Sequence, residues 1–139
     1  MSTNLAKKLG IKPGDRVAMV AAPPGMGDYL RPELSPGVLL AAGLPEERCE
    51  VILFWPKRLG GLEEKFRDLQ NRIVPDGAIW AVMPKKKFVA KWDIDYTWEQ
   101  MQAAGLQTDL VDNKVASVDD ETYGTRFVIR RDRRQLYSA

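Results

Sequence analysis

Ala78-Ile79-Trp80-Ala81-Val82-Met83-Pro84-Lys85-Lys86-Lys87 decides the fold. An apolar run stops abruptly in a proline and three lysines. A short continuous apolar run bounded by turn residues reads as a buried strand. Proline cannot donate to a sheet ladder, so the strand leaves the core at residue 84. In open α/β sheets, ligands bind just beyond the carboxyl ends of parallel strands. The junction of Pro84 with the lysines is therefore the first place to look for a site.

Working back, Pro75-Asp76-Gly77 reads as the turn that leads into this strand. Before it, Leu62, Phe66, Leu69 and Ile73 recur at helical spacing, while Glu63, Glu64, Lys65, Arg67 and Asp68 face water. Gly60-Gly61 precedes that helix. Residues 50–55 form a second apolar strand, broken by Pro56. Residues 16–22 form another, ending in Pro23-Pro24-Gly25-Met26-Gly27-Asp28. Residues 1–10 hold a short N-terminal helix stopped by Gly10. The stretch 29–46 stays undecided, with residues 38–42 either a short strand or one helical turn.

Working forward, residues 97–104 predict a helix with Thr97 as its cap and Gly105 as its C-terminal glycine. Two β segments follow, 108–118 (possible break at Asp112-Asn113) and 126–131, joined by a hairpin connection through 119–124. Arg126, Val128 and Arg130 alternate with Phe127 and Ile129, the pattern of a half-exposed edge strand. Residues 132–139 read as a frayed tail. Strand-helix-strand units favour a parallel sheet with right-handed crossovers. The expected fold is α/β: one Rossmann-like layered domain over 1–139, its sheet mostly parallel with an antiparallel C-terminal hairpin.

Composition bounds the function. Hydrophobic residues make up 45% and charged ones 29%, which argues against global disorder. The net charge of +2 supplies no overall field toward nucleic acid or membrane, so any electrostatic role rests on local clusters. Histidine is absent, which removes Ser-His-Asp and Cys-His catalysis and the commonest metal ligand. Cys49 is the only cysteine, so no internal disulfide or thiolate cluster forms. The N-terminus lacks an apolar signal region, and no apolar run reaches membrane-spanning length. A cytoplasmic location is expected.

The segments "IKPGDRVAMVAA", "RIVPDGAIWAVMP" and "AAGLQTDLVDNKVAS" followed by "TYGTRFVIRR" resemble the first strand, the fifth strand and the closing helix and hairpin of class I methyltransferases. Over nearly its full length the chain resembles a bacterial family of short, uncharacterised proteins with a shortened version of that fold. In that family a lysine-bearing segment follows the Trp-containing strand, as Lys85, Lys86 and Lys87 follow Trp80 here. The resemblance implies an S-adenosylmethionine site at the loop after the first strand, where Gly25 and Gly27 stand. Two departures disfavour that cofactor. Pro23 and Pro24 precede the glycines and remove amide donors. No acid directly follows residues 38–42, where the fold usually holds the ribose.

If the sheet is parallel, three strand ends converge: 23–28, 55–58 and 84–87. Lys57, Arg58, Lys85 and Lys86 then line a crevice suited to phosphate or carboxylate. The N-terminus of the helix behind Gly60-Gly61 favours the same charge. Trp55, at a strand end, is a candidate for stacking on a ligand ring, although core packing is the simpler role. Trp80, mid-strand, reads as core, and Cys49 as an inert buried thiol. The segment holding Trp92, Asp93 and Asp95 is a lid or an ordinary connection, the latter preferred. Arg126, Arg130, Arg131, Arg133 and Arg134 form a basic cluster that a charged edge strand explains.

Three functions follow. The first is a non-catalytic or accessory module binding a small anionic ligand or a protein partner, with ligand-binding residues Lys57, Arg58, Lys85, Lys86, Gly25, Gly27 and Trp55. The second is a divergent S-adenosylmethionine-dependent methyltransferase. The third is a weak nucleic-acid binder using the arginine cluster. No catalytic or metal-binding residue is assigned, and the reading leans away from an enzyme.

Overall fold

A computed structural model describes residues 5–138. Six strands form one sheet in the order β2-β1-β3-β4-β6-β5. Their ranges are β1 Arg16–Val20, β2 Leu39–Ala42, β3 Cys49–Phe54, β4 Ile73–Pro84, β5 Leu110–Ser117 and β6 Thr122–Ile129. β2, β1, β3 and β4 run parallel, while β6 pairs antiparallel with both β4 and β5. This is the expected Rossmann-like α/β architecture. The helices are α1 Leu5–Leu9, α2 Met26–Leu30, α3 Leu62–Gln70, α4 Val89–Trp92 and α5 Trp98–Leu106.

Period-two alternation divides the core in two. On β3, Ile52 and Phe54 face one side, with α3 and α5, and Cys49 joins them across the register shift before Val51. Val51, Leu53 and Trp55 face the other, with α1 and α2. On β4, Ile79, Ala81 and Met83 join the first cluster, and Trp80 and Val82 the second. Trp80 is fully buried, and its indole N–H donates to the Leu9 carbonyl at 3.0 Å, which closes α1 over the sheet. Cys49 is buried, as expected, and burial pushes its thiol pKa up.

Several expectations are corrected. Pro75-Asp76-Gly77 does not end at a turn; it lies inside β4 as a bulge, where the pairing shifts from Cys49–Ile73 to Val51–Ala78. A Cβ on Gly77 would lie 2.8 Å from the Glu50 carbonyl, so only glycine permits this backbone approach. Ile73 opens β4 rather than closing α3. α2 begins at Met26, inside the segment read as a loop after the first strand, and runs into the undecided stretch, which also holds a short 3₁₀ turn at Arg31–Glu33 and β2 as the parallel edge strand. β6, read as an edge strand, is interior, with β5 outside it. The break read at Asp112-Asn113 is a bulge in β5 between Asp112 and Lys114.

The tail is not frayed over its described part. Arg131–Tyr137 forms a 3₁₀ helix that buries Tyr137 against the first cluster. Of the N-terminal helix expected over 1–10, residues 1–4 lie outside the described residues. Thr97 caps α5 as expected. Its hydroxyl accepts from the Gln100 amide, and the Gln100 side chain accepts from the Thr97 amide.

Candidate functional site at the carboxyl edge of the sheet

The chain leaves β1 toward β2 on one side and returns past β1 to β3 on the other. The carboxyl ends of β1 and β3 are therefore the switch point of the sheet, where such folds leave a crevice. Two recesses open there, one on each face, and they share Ala21, Trp55, Pro56 and Lys57.

The first recess is a shallow groove of about 350 Å³ on the α3 face. Besides the shared residues, Phe54, Arg58, Gly60, Gly61, Leu62 and Lys65 line it. It holds three cations and no carboxylate. Lys57 is exposed and Lys65 half-buried, and neither forms an ion pair among the described residues. Gly61 takes a left-handed φ of 80° to start α3, which turns the first helical amides toward this end of the sheet. Glu63 is drawn off by Arg67 at 2.9 Å.

The second recess is a more enclosed cavity of about 150 Å³ on the α1/α2 face. Ala22, Pro23, Pro24, Val82, Pro84, Trp92 and Ile94 complete its wall. Trp55 is 2% exposed, and its indole Nε1 is buried without a hydrogen-bond partner. Leaving such a donor unsatisfied costs about 1–3 kcal/mol. Ala21, which lines both recesses, has a φ of 61°, a strained value for a residue other than glycine.

The segment after β4 folds back over these strand ends. The Arg58 guanidinium donates to the Asp93 carboxylate at 3.2 Å and to its carbonyl at 2.6 Å. The Asp95 carboxylate accepts from the Leu59 amide at 2.7 Å. Tyr96 donates to the Pro56 carbonyl at 2.8 Å, and burial pushes its pKa well above the usual phenol value. Trp92 donates to Glu121, whose carboxyl is held below its ordinary value by Lys91 and then by this indole. Asp93 and Asp95 are thus occupied as clasps.

The predicted residues divide. Lys57, Arg58 and Trp55 come together with the Gly60-Gly61 helix start. Lys85 does not join them: its ammonium donates to Ser117 Oγ at 3.0 Å and to the Asp119 carbonyl at 2.9 Å. Lys86 is exposed and lines neither recess, and Gly25 and Gly27 line neither. Sequence reading missed Lys65, placed there on the water-facing side of α3, and Ala21, which carries no signal. Four of the five clustered arginines are tied to the chain. Arg130 and Arg134 donate to the carbonyls of Leu106 and Ile129, Arg126 to Asn113, and Arg133 pairs with Asp109.

No family model matches the sequence, and no curated protein matches it. Solved structures do. A SAM-dependent methyltransferase from Aquifex aeolicus aligns with a TM-score of 0.65 at 14% identity, over 91% of this chain and 88% of its own. The N-methyltransferase NodS from Bradyrhizobium japonicum aligns at 0.60 and 11%, over 93% and 94%. A putative type 11 methyltransferase from Sulfolobus solfataricus aligns at 0.62 and 12%, over 91% and 89%. The chain has the class I methyltransferase fold. At these identities the likeness is one of fold. Among the described residues, no helix is long and apolar enough to cross a membrane.

Proposed function

We propose that this methyltransferase-fold chain binds a small phosphate- or carboxylate-bearing ligand in the groove at the switch point. One observation carries the reading: Lys57, Arg58 and Lys65 line the groove together, with no carboxylate among the lining residues. Two of these cations lack ion-pair partners among the described residues, and the α3 amides add partial positive charge. An anion there gains charge-assisted hydrogen bonds that a neutral ligand does not. Lys85 and Lys86 are dropped from this site.

Methyl transfer from S-adenosylmethionine is the second reading. Its support is the company of methyltransferases above, including NodS with S-adenosyl-L-homocysteine bound. The residues present do not fit that cofactor. β2 ends in Ala42 and is followed by Gly43-Leu44-Pro45, so no acid stands there for the ribose hydroxyls. A sulfonium would meet three cations and no lining carboxylate. Pro23 and Pro24 remove two amides from the loop after β1.

Thermal unfolding with added phosphate, pyrophosphate, S-adenosylmethionine or S-adenosylhomocysteine separates the readings. A ligand specific to the folded state raises the melting temperature. Stabilisation by simple anions, lost in Lys57→Glu with Lys65→Glu, supports the anion site. Stabilisation by the methyl donor alone replaces it with the methyltransferase reading.

A further inference from the structure

We propose that the chain associates with a second copy of itself through the open edge of β2, the two sheets joining by antiparallel β2–β2 pairing about a two-fold axis. The sheet ends in two edges, β2 and β5. A bare edge is a template for another strand, and bulges and charged residues are what keep it from pairing. β5 has both: a bulge between Asp112 and Lys114, with Asn113 and Lys114 exposed. β2 has neither. Its sequence is Leu39-Leu40-Ala41-Ala42, and its register with β1 runs unbroken from Arg16–Leu39 to Met19–Ala42. Leu39 is 62% exposed.

The backbone sets the register. The Leu39 amide donates to the Asp15 carbonyl at 2.9 Å, and the Gly43 amide to the Met19 carbonyl at 2.8 Å. Alternate residues of β2 thus bond inward to β1, and Leu40 and Ala42 turn their N–H and C=O groups to the open side. The Val38 amide is already taken by the Ser35 carbonyl at 3.3 Å, and Gly43, at a φ of 94°, turns the chain out of line. That leaves one antiparallel register, with Leu40 bonded to Ala42 of the second copy and the axis at Ala41.

Side chains favour a second copy as the occupant, because the strand fits its own reverse. In this register Leu40 lies opposite Ala42, Leu39 opposite Gly43, and Ala41 opposite itself, so each leucine meets a small residue. Arg31 and Glu47 line a groove of about 290 Å³ beside β2. Both are exposed, and neither forms an ion pair among the described residues. Arg16, the third charged residue of that groove, pairs with Glu50 at 4.0 Å. Two apposed copies therefore bring one free cation and one free carboxylate each, and no excess of like charge opposes them.

Sedimentation equilibrium on the intact chain, from micromolar to millimolar concentration, tests the pairing. A four-residue seam is short beside interfaces that bury about 1,200–2,000 Å², so a weak dimer is expected, with a Kd on the order of 10–100 μM. Leu39→Lys places a charge on the open edge at an exposed site and should weaken the dimer at least about tenfold. Ala42→Pro removes an outward amide that β1 does not use and should do the same. Val115→Lys, at a 55% exposed site on the guarded β5 edge, should leave it unchanged. The register is read by cross-linking. Ala41→Cys puts two thiols across the axis, at the ~4.5 Å Cα separation of a non-bonded pair, within disulfide reach. Leu39→Cys puts them about four residues, or ~13 Å, apart and should not link. The native Cys49 is buried.

A parent chain that stays monomeric across the range overturns the proposal. So does a dimer that survives Leu39→Lys, whose fold is checked by its melting temperature and which stands as the test if Ala42→Pro does not fold. A dimer lost in Val115→Lys and kept in Leu39→Lys moves the interface to β5. Linking of Leu39→Cys as readily as Ala41→Cys overturns the two-fold register.

Discussion

A Cβ added to Gly105 would lie 2.4 Å from Cε1 of Phe127. α5 rests its backbone directly on that ring, which in turn packs 4.9 Å from the Phe66 ring centroid. Helix-interior glycine to alanine usually gains about 0.5–1 kcal/mol. Here the methyl has no room, because the ring sits in a filled core. Gly105→Ala is therefore expected to lose about 1–3 kcal/mol, the usual range for an overpacked core. Urea unfolding reads the sign, and a stabilised variant would show that Phe127 moves aside freely.

Gly105 also shows where the sequence stops being legible. A glycine near a helix end has one signature whether it stops the helix or seats it on a neighbour, and here the helix continues to Leu106. β3 and β4 were legible because their apolar runs are long and their breakers sharp. The interior place of β6 was not. Arg126 and Val128 alternate with Phe127 and Ile129 as they would on an edge, and only the pairing of β5 outside it decides the matter. In the site, Lys57, Arg58 and Gly60-Gly61 could be read together because a strand end running into a helix start puts them at one point. Lys85 was misplaced because its partners, Ser117 and Asp119, arrive from 32 and 34 residues away. No local pattern encodes that pairing.

The C-terminal 3₁₀ helix gives stability a pH signature. Tyr137 donates to Asp109 Oδ2 at 2.5 Å. Burial, then that bond, hold its pKa up to about 12 against an ordinary 10. A raised phenol favours the folded state while protonated. Its contribution is therefore complete below pH 10 and is lost as pH rises from 10 through 12. The other three tyrosines are raised as well, so stability should fall across this alkaline window and Tyr137→Phe should remove only one share of the fall. Denaturant midpoints followed across this window test the point. A variant with an undiminished slope would mean the tail is already detached.

Lys85 is predicted to matter for stability and not for the ligand. Its ammonium joins the start of the β4 exit to the β5–β6 hairpin through Ser117 and Asp119. Lys85→Met forfeits hydrogen bonds from a charged donor, worth about 2 kcal/mol. Anion affinity should stay at the parent value. Lys57→Glu with Lys65→Glu should do the opposite, changing stability by roughly 0.5 kcal/mol or less while abolishing anion binding. Calorimetric titration with pyrophosphate on folded variants distinguishes the two. Equal losses of affinity would return Lys85 to the site.

The clasp over the strand ends is expected to open locally. Arg58 and Asp93 are both exposed, so their pair adds little to global stability, about 1 kcal/mol at most. Its effect is on the segment it holds. Arg58 bonds both the carbonyl and the carboxylate of Asp93, while Asp95 receives the Leu59 amide and donates its own amide to the Lys57 carbonyl at 3.3 Å. Removing the guanidinium frees the segment between α4 and α5 without touching the buried anchor at Tyr96. Arg58→Ala should therefore speed hydrogen exchange at the Leu59 and Asp95 amides and leave the β3 amides unchanged. Asp93→Gly should do less, because it keeps the carbonyl that Arg58 also binds and relieves a φ of 51°. If both variants exchange like the parent, the segment is held by Trp92 on Glu121 and by Tyr96 on Pro56, and the clasp is incidental.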